Sequence, residues 1–189
     1  LYKAQINPHF LFNTLNLLYG LMIANSKKAE SAFMQFIGLM KYMYSKASQD
    51  FVNIEEEVDY IKQYIELQKN RIDENRTNIS FTYSVSESTE DIRIAPMILI
   101  TFIENALKYG VSSHYESNIK IDIKIKNGEL KLFTENDIVS PRAKGKEAGI
   151  GISNCRKRLE LLYPRRHSLD ISVSDNIYRV NLNIKLKDK

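Results

Sequence analysis

Several features are scarce in this chain, and each scarcity excludes a class of protein. The single cysteine, Cys155, excludes an internal disulfide framework and a cysteine-based zinc cluster, and it is compatible with a reducing compartment. No apolar run approaches the roughly 20 residues that a membrane-spanning helix needs, and no signal peptide precedes the first helical pattern. The net charge of +4 is too small by itself to indicate nucleic-acid binding, so we expect none.

The composition is otherwise that of a globular protein, with 43% apolar and 26% charged residues. A length of 189 residues allows one large domain, or a compact domain with a helical module. The charge is unevenly placed, because eight lysines and arginines lie among only two acids between Arg142 and His167. The chain begins Leu-Tyr-Lys, without methionine and already in helical pattern, so we interpret it as a fragment of a longer protein.

The first part of the chain has the periodicity of helices. Apolar residues recur at helical spacing in a first stripe, which comprises Leu11, Leu15, Leu18 and Met22. Ser26 is a candidate N-cap of a second helix, one face of which carries Phe33, Ile37, Met40, Tyr44 and Ala47. Such a hairpin is too thin to bury both faces of its helices. A four-helix bundle made by two chains would cover them, so we expect a homodimer.

Asn53 is the predicted N-cap of a third helix, with three glutamates in its first turn, where they oppose the helix dipole favourably. Its apolar stripe ends in the polar segment 71–75, which we interpret as a module boundary. The sequence therefore predicts a helical module over residues 1–74 and a second domain over residues 75–189.

Beyond about residue 77 the apolar period changes to two, which is typical of half-buried strands. Two hairpins are predicted, one turning at Asn127-Gly128 and one near Asp175-Asn176. Helices are expected from Pro96 to Gly110, with proline near the first position, and from about Ser153 to Tyr163. The second domain is therefore predicted to be an α+β sandwich with a mostly antiparallel sheet. The aperiodic segment 135–148 has the length of a functional loop.

Four segments carry polar residues that a core does not need. Glu104, Asn105, Lys108 and Tyr109 share adjoining helix surface, which is also how an ordinary solvent-facing helix looks. Gly149-Ile150-Gly151 opens a helix whose free N–H groups suit an anion, although such a pair of glycines is weak evidence alone. The segment Glu135-Asn136-Asp137 ends a strand and by itself indicates only a turn. His9, in Asn7-Pro8-His9-Phe10, is by itself most simply a surface histidine.

Taken together, these segments resemble one family. The sequence Asn-Pro-His-Phe-Leu-Phe-Asn at 7–13, Glu-Asn-x-x-Lys-Tyr-Gly at 104–110 and Gly-Ile-Gly-Ile-x-Asn-x-x-x-Arg-Leu at 149–159 resemble motifs of the LytS/YehU-type sensor histidine kinases. The resemblance covers essentially the whole chain in the right order. It implies a helical dimerisation and phosphoacceptor module, followed by an ATP-binding domain of the GHKL (Bergerat-type) fold. It also implies phosphoryl transfer from ATP to histidine and then to a response regulator receiver domain, often one of the LytTR type.

The resemblance further implies roles for individual residues. His9 matches the phosphoacceptor, and a neutral imidazole is a competent nucleophile near pH 7. Asn105 matches the Mg²⁺ ligand and Glu104 the acid that acts as base or positions the attacking group. The residues implied to contact the nucleotide are Lys108, Tyr109, Gly149, Gly151 and Asn154, with Lys144, Lys146, Arg156 and Arg158 as a basic surround.

Two departures from the family pattern stand out. Phe10 follows His9 where many histidine kinases have an acid, and the Asp-x-Gly-x-Gly segment that contacts adenine is replaced by residues 135–139. Asn136 is the best match to the adenine-binding position, with Asp137 next. The alternatives to a kinase are a nucleotide-binding scaffold of the same fold and, less favoured, a gyrase- or chaperone-like ATPase. We expect a cytoplasmic fragment of a membrane protein whose membrane contact lies in segments outside this sequence.

Overall fold

A computed structural model describes residues 8–112, 114–139 and 150–186, and of residues 8–10 and 150 it describes the backbone only. The helices are α1 (Pro8–Ile23), α2 (Ala29–Lys46), α3 (Ile54–Lys69), α4 (Leu99–Gly110) and α5 (Ile150–Leu162). The strands are β1 (Val52–Asn53), β2 (Thr77–Val85), β3 (Arg93–Ile94), β4 (Ser117–Lys126), β5 (Glu129–Asp137), β6 (His167–Ser174) and β7 (Ile177–Lys185).

The main sheet has five strands in the order β2-β4-β5-β7-β6. Strand β2 pairs with β4 in parallel, whereas the other neighbours are antiparallel. The parallel pair requires a crossover, which runs through β3 and α4. The predicted α+β architecture with a mostly antiparallel sheet is confirmed.

Both predicted hairpins are present, and their turns have the backbone that two-residue hairpins need. Asn127 and Gly128 have φ values of 55° and 71°, and Asp175 and Asn176 have 51° and 62°. Two successive positive φ values are the signature of a type I′ turn, which matches the right-handed twist of the strands. These residue types tolerate that conformation, so the turns fix the register on either side.

One face of the sheet is apolar and is covered by helices. The four isoleucines of β4 are at most 1% exposed, whereas the alternating lysines face solvent. Helix α4 packs on β4 and β5, and α5 packs beside α4 and against β6. Helix α4 follows Pro96 and ends at Gly110 as predicted, but it begins at Leu99, so the proline lies three residues before it rather than near its first position. The predicted start of α5 near Ser153 is also late, because the helix begins at Ile150.

The predicted cap of α3 is confirmed as a complete capping box. Asn53 Oδ1 accepts the Glu55 N–H at 2.8 Å, and Glu56 Oε2 accepts the Asn53 N–H at 3.3 Å. Ser26 does not occupy the corresponding place in α2, because the helix begins at Ala29 after Lys28. The Ser26 hydroxyl instead accepts the Lys28 N–H within the turn, at 3.2 Å.

Helix α2 has two apolar faces, and a single chain covers only one of them. The covered face comprises Ala32, Phe36, Leu39 and Met43. On the other face Phe33, Ile37 and Tyr44 are exposed, as are Phe12, Leu15, Tyr19 and Met22 of α1. The α1–α2 hairpin therefore leaves an apolar surface without cover from the part of its own chain that the structure describes.

Contacts cross the predicted module boundary at residue 74. Strand β1 pairs with β3, so that Val52 lies opposite Ile94 and Asn53 opposite Arg93. Helix α3 packs against both α2 and α4. The division at residue 74 stays a prediction, and α3 is the element that joins its two sides.

Candidate functional site

Helix α4 exposes a single narrow polar stripe. Eight of its residues are buried, and those that are not comprise Thr101, Glu104, Asn105 and Lys108. Their spacing of three, four and seven residues places them on one face. The apolar residues of α4 therefore anchor the helix on the sheet, and the stripe faces away from that anchor.

The last turn of α4 lies directly on β5. A Cβ atom at Gly110 would lie 2.8 Å from the Cβ of Asn136, so only glycine permits this approach. The Tyr109 carbonyl accepts the Val139 N–H at 3.1 Å and ties the chain leaving β5 to the helix. Tyr109 is only 9% exposed, and Lys108 Nζ lies 5.4 Å from the centre of its ring. Of these two predicted ligands, Lys108 presents its side chain to solvent and Tyr109 mostly does not.

Asn136 and Asp137 point to opposite faces of the sheet. Asn136 is completely buried on the helix side, where its Nδ2 donates to the Asp137 carbonyl at 2.9 Å. Its Oδ1 is buried and has no hydrogen-bond partner among the described residues. Asp137 Oδ2 instead accepts the Asn118 N–H at 2.7 Å. Asn136 is therefore the residue beneath α4, and its adenine contact stays a prediction.

The first turn of α5 lies beside the beginning of the polar stripe. A Cβ atom at Gly151 would lie 3.7 Å from Thr101 Cγ2. Asn154 follows on α5 and is half-buried. Gly149, Lys144 and Lys146 lie outside the described residues. We name the surface formed by the α4 stripe and the first turn of α5 the α4–α5 cleft. Asn136 lies under the last turn of α4, next to Gly110.

One predicted basic residue has a different role. Arg158 does not extend toward the cleft, because its Nη2 donates to the Pro96 carbonyl at 3.0 Å. Its charge also acts on the buried carboxylate of Glu57. Arg156, by contrast, is exposed on α5.

Glu104 lies toward α3 and affects two of its tyrosines. Burial raises the pKa of Tyr60 and of Tyr64, and the negative charge of Glu104 raises both further. Both tyrosines are therefore neutral at physiological pH. Glu104 is half-buried, as the member of the stripe whose charge acts on α3.

The pattern of residues did not single out Glu57, which is completely buried in the first turn of α3. Burial raises its pKa, although hydrogen bonds from Met97 and Tyr42 and the charge of Arg158 oppose this effect. The available signal was its position, because Glu57 falls on the same helix face as Ile54, Val58 and Ile61.

His9 is the second residue of α1, directly after Pro8. Pro8 is the first described residue of α1, so whether it begins the helix or lies within a longer one stays as the sequence left it. Only the backbone of His9 belongs to the described part of the chain, and Asn7 lies outside it.

Two buried amide atoms, on α4 and β5, lack hydrogen-bond partners among the described residues. The Asn105 Nδ2 is buried without a partner among the described residues, as is the Asn136 Oδ1. Amide side chains carry both a donor and an acceptor, so each can meet a ligand atom. In the described chain, no group of three or more histidine, cysteine or acidic side chains is arranged to hold a metal.

Comparisons with known proteins show which family the chain resembles. Residues 1–76 match the family model described as histidine kinase. The chain is 29% identical over 176 residues to the sensor histidine kinase YesM of Bacillus subtilis, covering 89% of this chain and 30% of that protein. It is 27% identical over 191 residues to the sensor protein LytS of Oceanobacillus iheyensis, covering 92% and 32%. The resemblance to LytS/YehU-type sensor histidine kinases is confirmed.

The solved structures similar to this one show the same fold. The catalytic domain of histidine kinase ThkA, in a nucleotide-free form, has a TM-score of 0.52 at 19% identity, covering 73% of this chain and 99% of that one. Full-length ShkA in complex with AMPPNP has a TM-score of 0.53 at 15% identity, covering 84% and 36%. The GHKL fold expected for a sensor histidine kinase is therefore confirmed.

The chain spans about a third of the length of the curated sensor kinases that it matches. None of its described helices combines the length and the apolar character that crossing a bilayer requires.

Proposed function

We propose that this chain binds ATP with Mg²⁺ in the α4–α5 cleft and transfers the γ-phosphoryl group to His9. The observation that carries the proposal is a pair of unpartnered amide atoms, Asn105 Nδ2 on the α4 stripe and Asn136 Oδ1 beneath the last turn of α4. Buried polar atoms are seldom left without partners, so such a pair favours a ligand. The polar stripe of α4 runs along the same cleft.

Within this proposal each cleft residue has a chemical task. Asn105 would hold Mg²⁺ through its side-chain oxygen, and its unpartnered Nδ2 would donate to a phosphate oxygen. Lys108, exposed one turn later, meets the phosphates. Asn136 accepts the adenine amino group with its buried carbonyl oxygen. Gly151 and Gly149 let the backbone approach the phosphates, and Asn154 supports them from the next turn of α5.

The transfer step uses the imidazole of His9 as nucleophile. One of its neutral nitrogens bonds to the γ-phosphorus, while the bond from that phosphorus to the β–γ bridging oxygen breaks and ADP leaves. Magnesium supplies charge neutralisation on the phosphates. Glu104 takes the role of base or positions the attacking group. The phosphoryl group then passes to an aspartate of a response regulator receiver domain, which we propose to be of the LytTR type.

The direct test is incubation of the 189-residue chain with γ-labelled ATP. We expect label that is lost in acid and retained in base, which is the behaviour of phosphohistidine. His9→Gln should abolish labelling and leave the affinity for ATP nearly unchanged, because the two sites lie on different elements. His114→Gln is the matched control, because this exposed histidine lies on the other side of the predicted boundary. Labelling that persists in His9→Gln would refute the assignment and favour a nucleotide-binding scaffold.

The metal role of Asn105 has its own test. Removal of a Mg²⁺ ligand weakens both metal and triphosphate binding, because the ion bridges protein and phosphates. We therefore expect Asn105→Ala to lose autophosphorylation and most of the Mg²⁺-dependent part of the ATP affinity. Titrations with and without Mg²⁺ that match those of the wild type would contradict this role.

We also propose that the apolar surface of the α1–α2 hairpin is covered by a second copy of the chain. Seven large apolar side chains are exposed on it, namely Phe12, Leu15, Tyr19, Met22, Phe33, Ile37 and Tyr44. Light scattering should give about twice the chain mass of 21.9 kDa. Phe33→Asp should shift the mass toward the monomer, whereas Leu161→Asp on α5, which is 63% exposed, should not. A wild-type monomer at high concentration would contradict this proposal.

A further inference from the structure

The segment 95–98, which leads into α4, is held almost entirely by side chains of other elements. Tyr163 Oη accepts the Ala95 N–H at 2.8 Å, and Arg158 donates to the Pro96 carbonyl. Glu57 Oε2 accepts the Met97 N–H at 3.0 Å. The Cys155 thiol donates to the Ile98 carbonyl at 3.7 Å. We name this segment the α4 lead. Its position is set by α3 on one side and by α5 and the turn after it on the other.

The Glu57 carboxylate extends this set of contacts to α2. Tyr42 donates its hydroxyl to Glu57 Oε2 at 2.7 Å, so one oxygen accepts from both α2 and the α4 lead. The Tyr42 ring stacks on Tyr60 of α3, with ring centres 4.6 Å apart. Placing a carboxylate in a completely buried site is costly unless its hydrogen bonds are satisfied. Loss of the hydrogen bond between Tyr42 and Glu57 would therefore destabilise the folded state.

The backbone of Met97 makes the α4 lead sensitive to this contact. Met97 has φ of 60°, in the left-handed region that residues with long side chains rarely occupy. Such a conformation persists only where the surroundings hold it. The hydrogen bond from the Met97 N–H to Glu57 is one of the contacts that stabilise this conformation. Displacement of the Glu57 carboxylate would therefore let the α4 lead relax.

We propose that Tyr42 and Glu57 are positioning residues that couple the α1–α2 hairpin to the nucleotide cleft through the α4 lead. This inference rests on the proposed function. Helix α4 is rigid, and Asn105 lies six residues after its first residue, or about 9 Å along the axis. A displacement of the lead therefore moves Asn105 and the rest of the polar stripe together. A change in the position of α2 then alters the fraction of molecules whose cleft fits the nucleotide, and the apparent affinity changes in proportion.

The test compares two tyrosines that donate to adjacent regions of α3. Tyr42→Phe removes the hydroxyl bonded to Glu57 and keeps the ring stacked on Tyr60. Tyr83→Phe is the matched control, because Tyr83 donates to Glu55 at 2.8 Å and that contact does not extend to the α4 lead. Both variants lose one bond between tyrosine and carboxylate. We expect Tyr42→Phe to weaken the binding of Mg²⁺–AMPPNP at least threefold, and Tyr83→Phe to leave it within experimental error.

A second arm uses Glu57→Gln to test the route. If Tyr42 acts through Glu57, the double variant should bind AMPPNP no more weakly than Glu57→Gln alone. If the double variant weakened AMPPNP binding by the product of the two single-variant factors, the proposal would be overturned. Equal weakening of binding by Tyr42→Phe and Tyr83→Phe would also overturn it.

Hydrogen exchange without nucleotide separates this inference from the proposed function. Tyr42→Phe should speed exchange of the Met97 amide at least threefold, whereas Tyr83→Phe should not. If the wild type bound no AMPPNP, the proposed function would fail, and the exchange comparison alone would decide whether Tyr42 and Glu57 hold the lead. Unchanged exchange at Met97 in Tyr42→Phe would refute the coupling whatever the nucleotide result.

Discussion

Gly110, the last residue of α4, offers the sharpest test of how the helix sits on the sheet. A Cβ atom there would lie 2.8 Å from Asn136 Cβ and 2.9 Å from Ile119 Cγ1. Carbon atoms pack favourably at about 3.5–4.0 Å, so Gly110→Ala creates overlaps of roughly 0.6–1 Å with both β5 and β4. The Cβ of Asn136 is attached to the backbone, and no side-chain rotation can move it away. The helix end or the strand must therefore shift.

The expected cost follows from two opposing effects. Forcing an extra carbon into a packed interior typically destabilises a protein by about 1–3 kcal/mol. Alanine is favoured over glycine in a helix by up to about 1 kcal/mol, and less at the last position. We therefore expect Gly110→Ala to lower the free energy of unfolding by about 1–2 kcal/mol. For a chain of this length, Tm falls by about 2–4 °C for each kcal/mol.

The assay is urea and thermal unfolding followed by circular dichroism, with Gly20→Ala as the matched control. Gly20 lies within α1, and a Cβ atom there would meet nothing within 4 Å. The same substitution should therefore raise the free energy of unfolding by about 0.5–1 kcal/mol. We predict that the change in the free energy of unfolding has opposite signs at the two glycines. If Gly110→Ala were neutral or stabilising, α4 would not approach β5 as closely as described, and the reasoning that places Asn136 beneath it would fail.

Three further predictions concern buried polar groups. Asn136→Asp should lower Tm without nucleotide, because a carboxylate would face the Asp137 carbonyl. The same substitution should raise the affinity for ATP and its preference over GTP by roughly five- to hundredfold, the effect of one charged hydrogen bond. Thermal shifts with AMPPNP and GTP check both effects. Because burial raises the pKa of Glu57, the folded state binds a proton more tightly than the unfolded state, and this group makes stability fall as pH rises from its ordinary pKa to the raised one. Glu57→Gln should therefore gain stability relative to the wild type as pH rises above 4.5, and a difference independent of pH would contradict the shift. Burial raises the pKa of the Cys155 thiol to about 12, so alkylation at pH 8 should be about a thousandfold slower than in urea, and rapid labelling of the folded chain would show that Cys155 is not buried.

Part of the site could be predicted because its signals are local. Helix α4 alternates apolar and polar residues with a helical period, so Glu104, Asn105 and Lys108 fall on one face wherever the helix packs. The choice between Asn136 and Asp137 was also available from the sequence. Leu130 and Leu132 mark the buried face of β5, and a period of two places Asn136 on it and Asp137 opposite.

Other parts of the site depend on contacts between elements far apart in the chain. Arg158 looks like a phosphate ligand in the sequence, because its basic neighbours and its helix suit one, and only packing shows that it binds the Pro96 carbonyl. Glu57 looks like a residue that favours a helix start. Its burial follows from the approach of Tyr42 and Met97, which are 15 and 40 residues away in the chain.

The sequence by itself determined the turns, the cap of α3, the period of each element and the order of the family motifs. These depend on φ preferences, on side chains within three residues of a helix start and on spacing along one element, which are all local. The tertiary structure alone decided that β2 pairs in parallel with β4, that α3 joins α2 to α4, and that Glu57 connects Tyr42 to the segment that leads into α4. A periodic pattern specifies which face of an element is buried but not which partner buries it, because any apolar surface of suitable shape can do so.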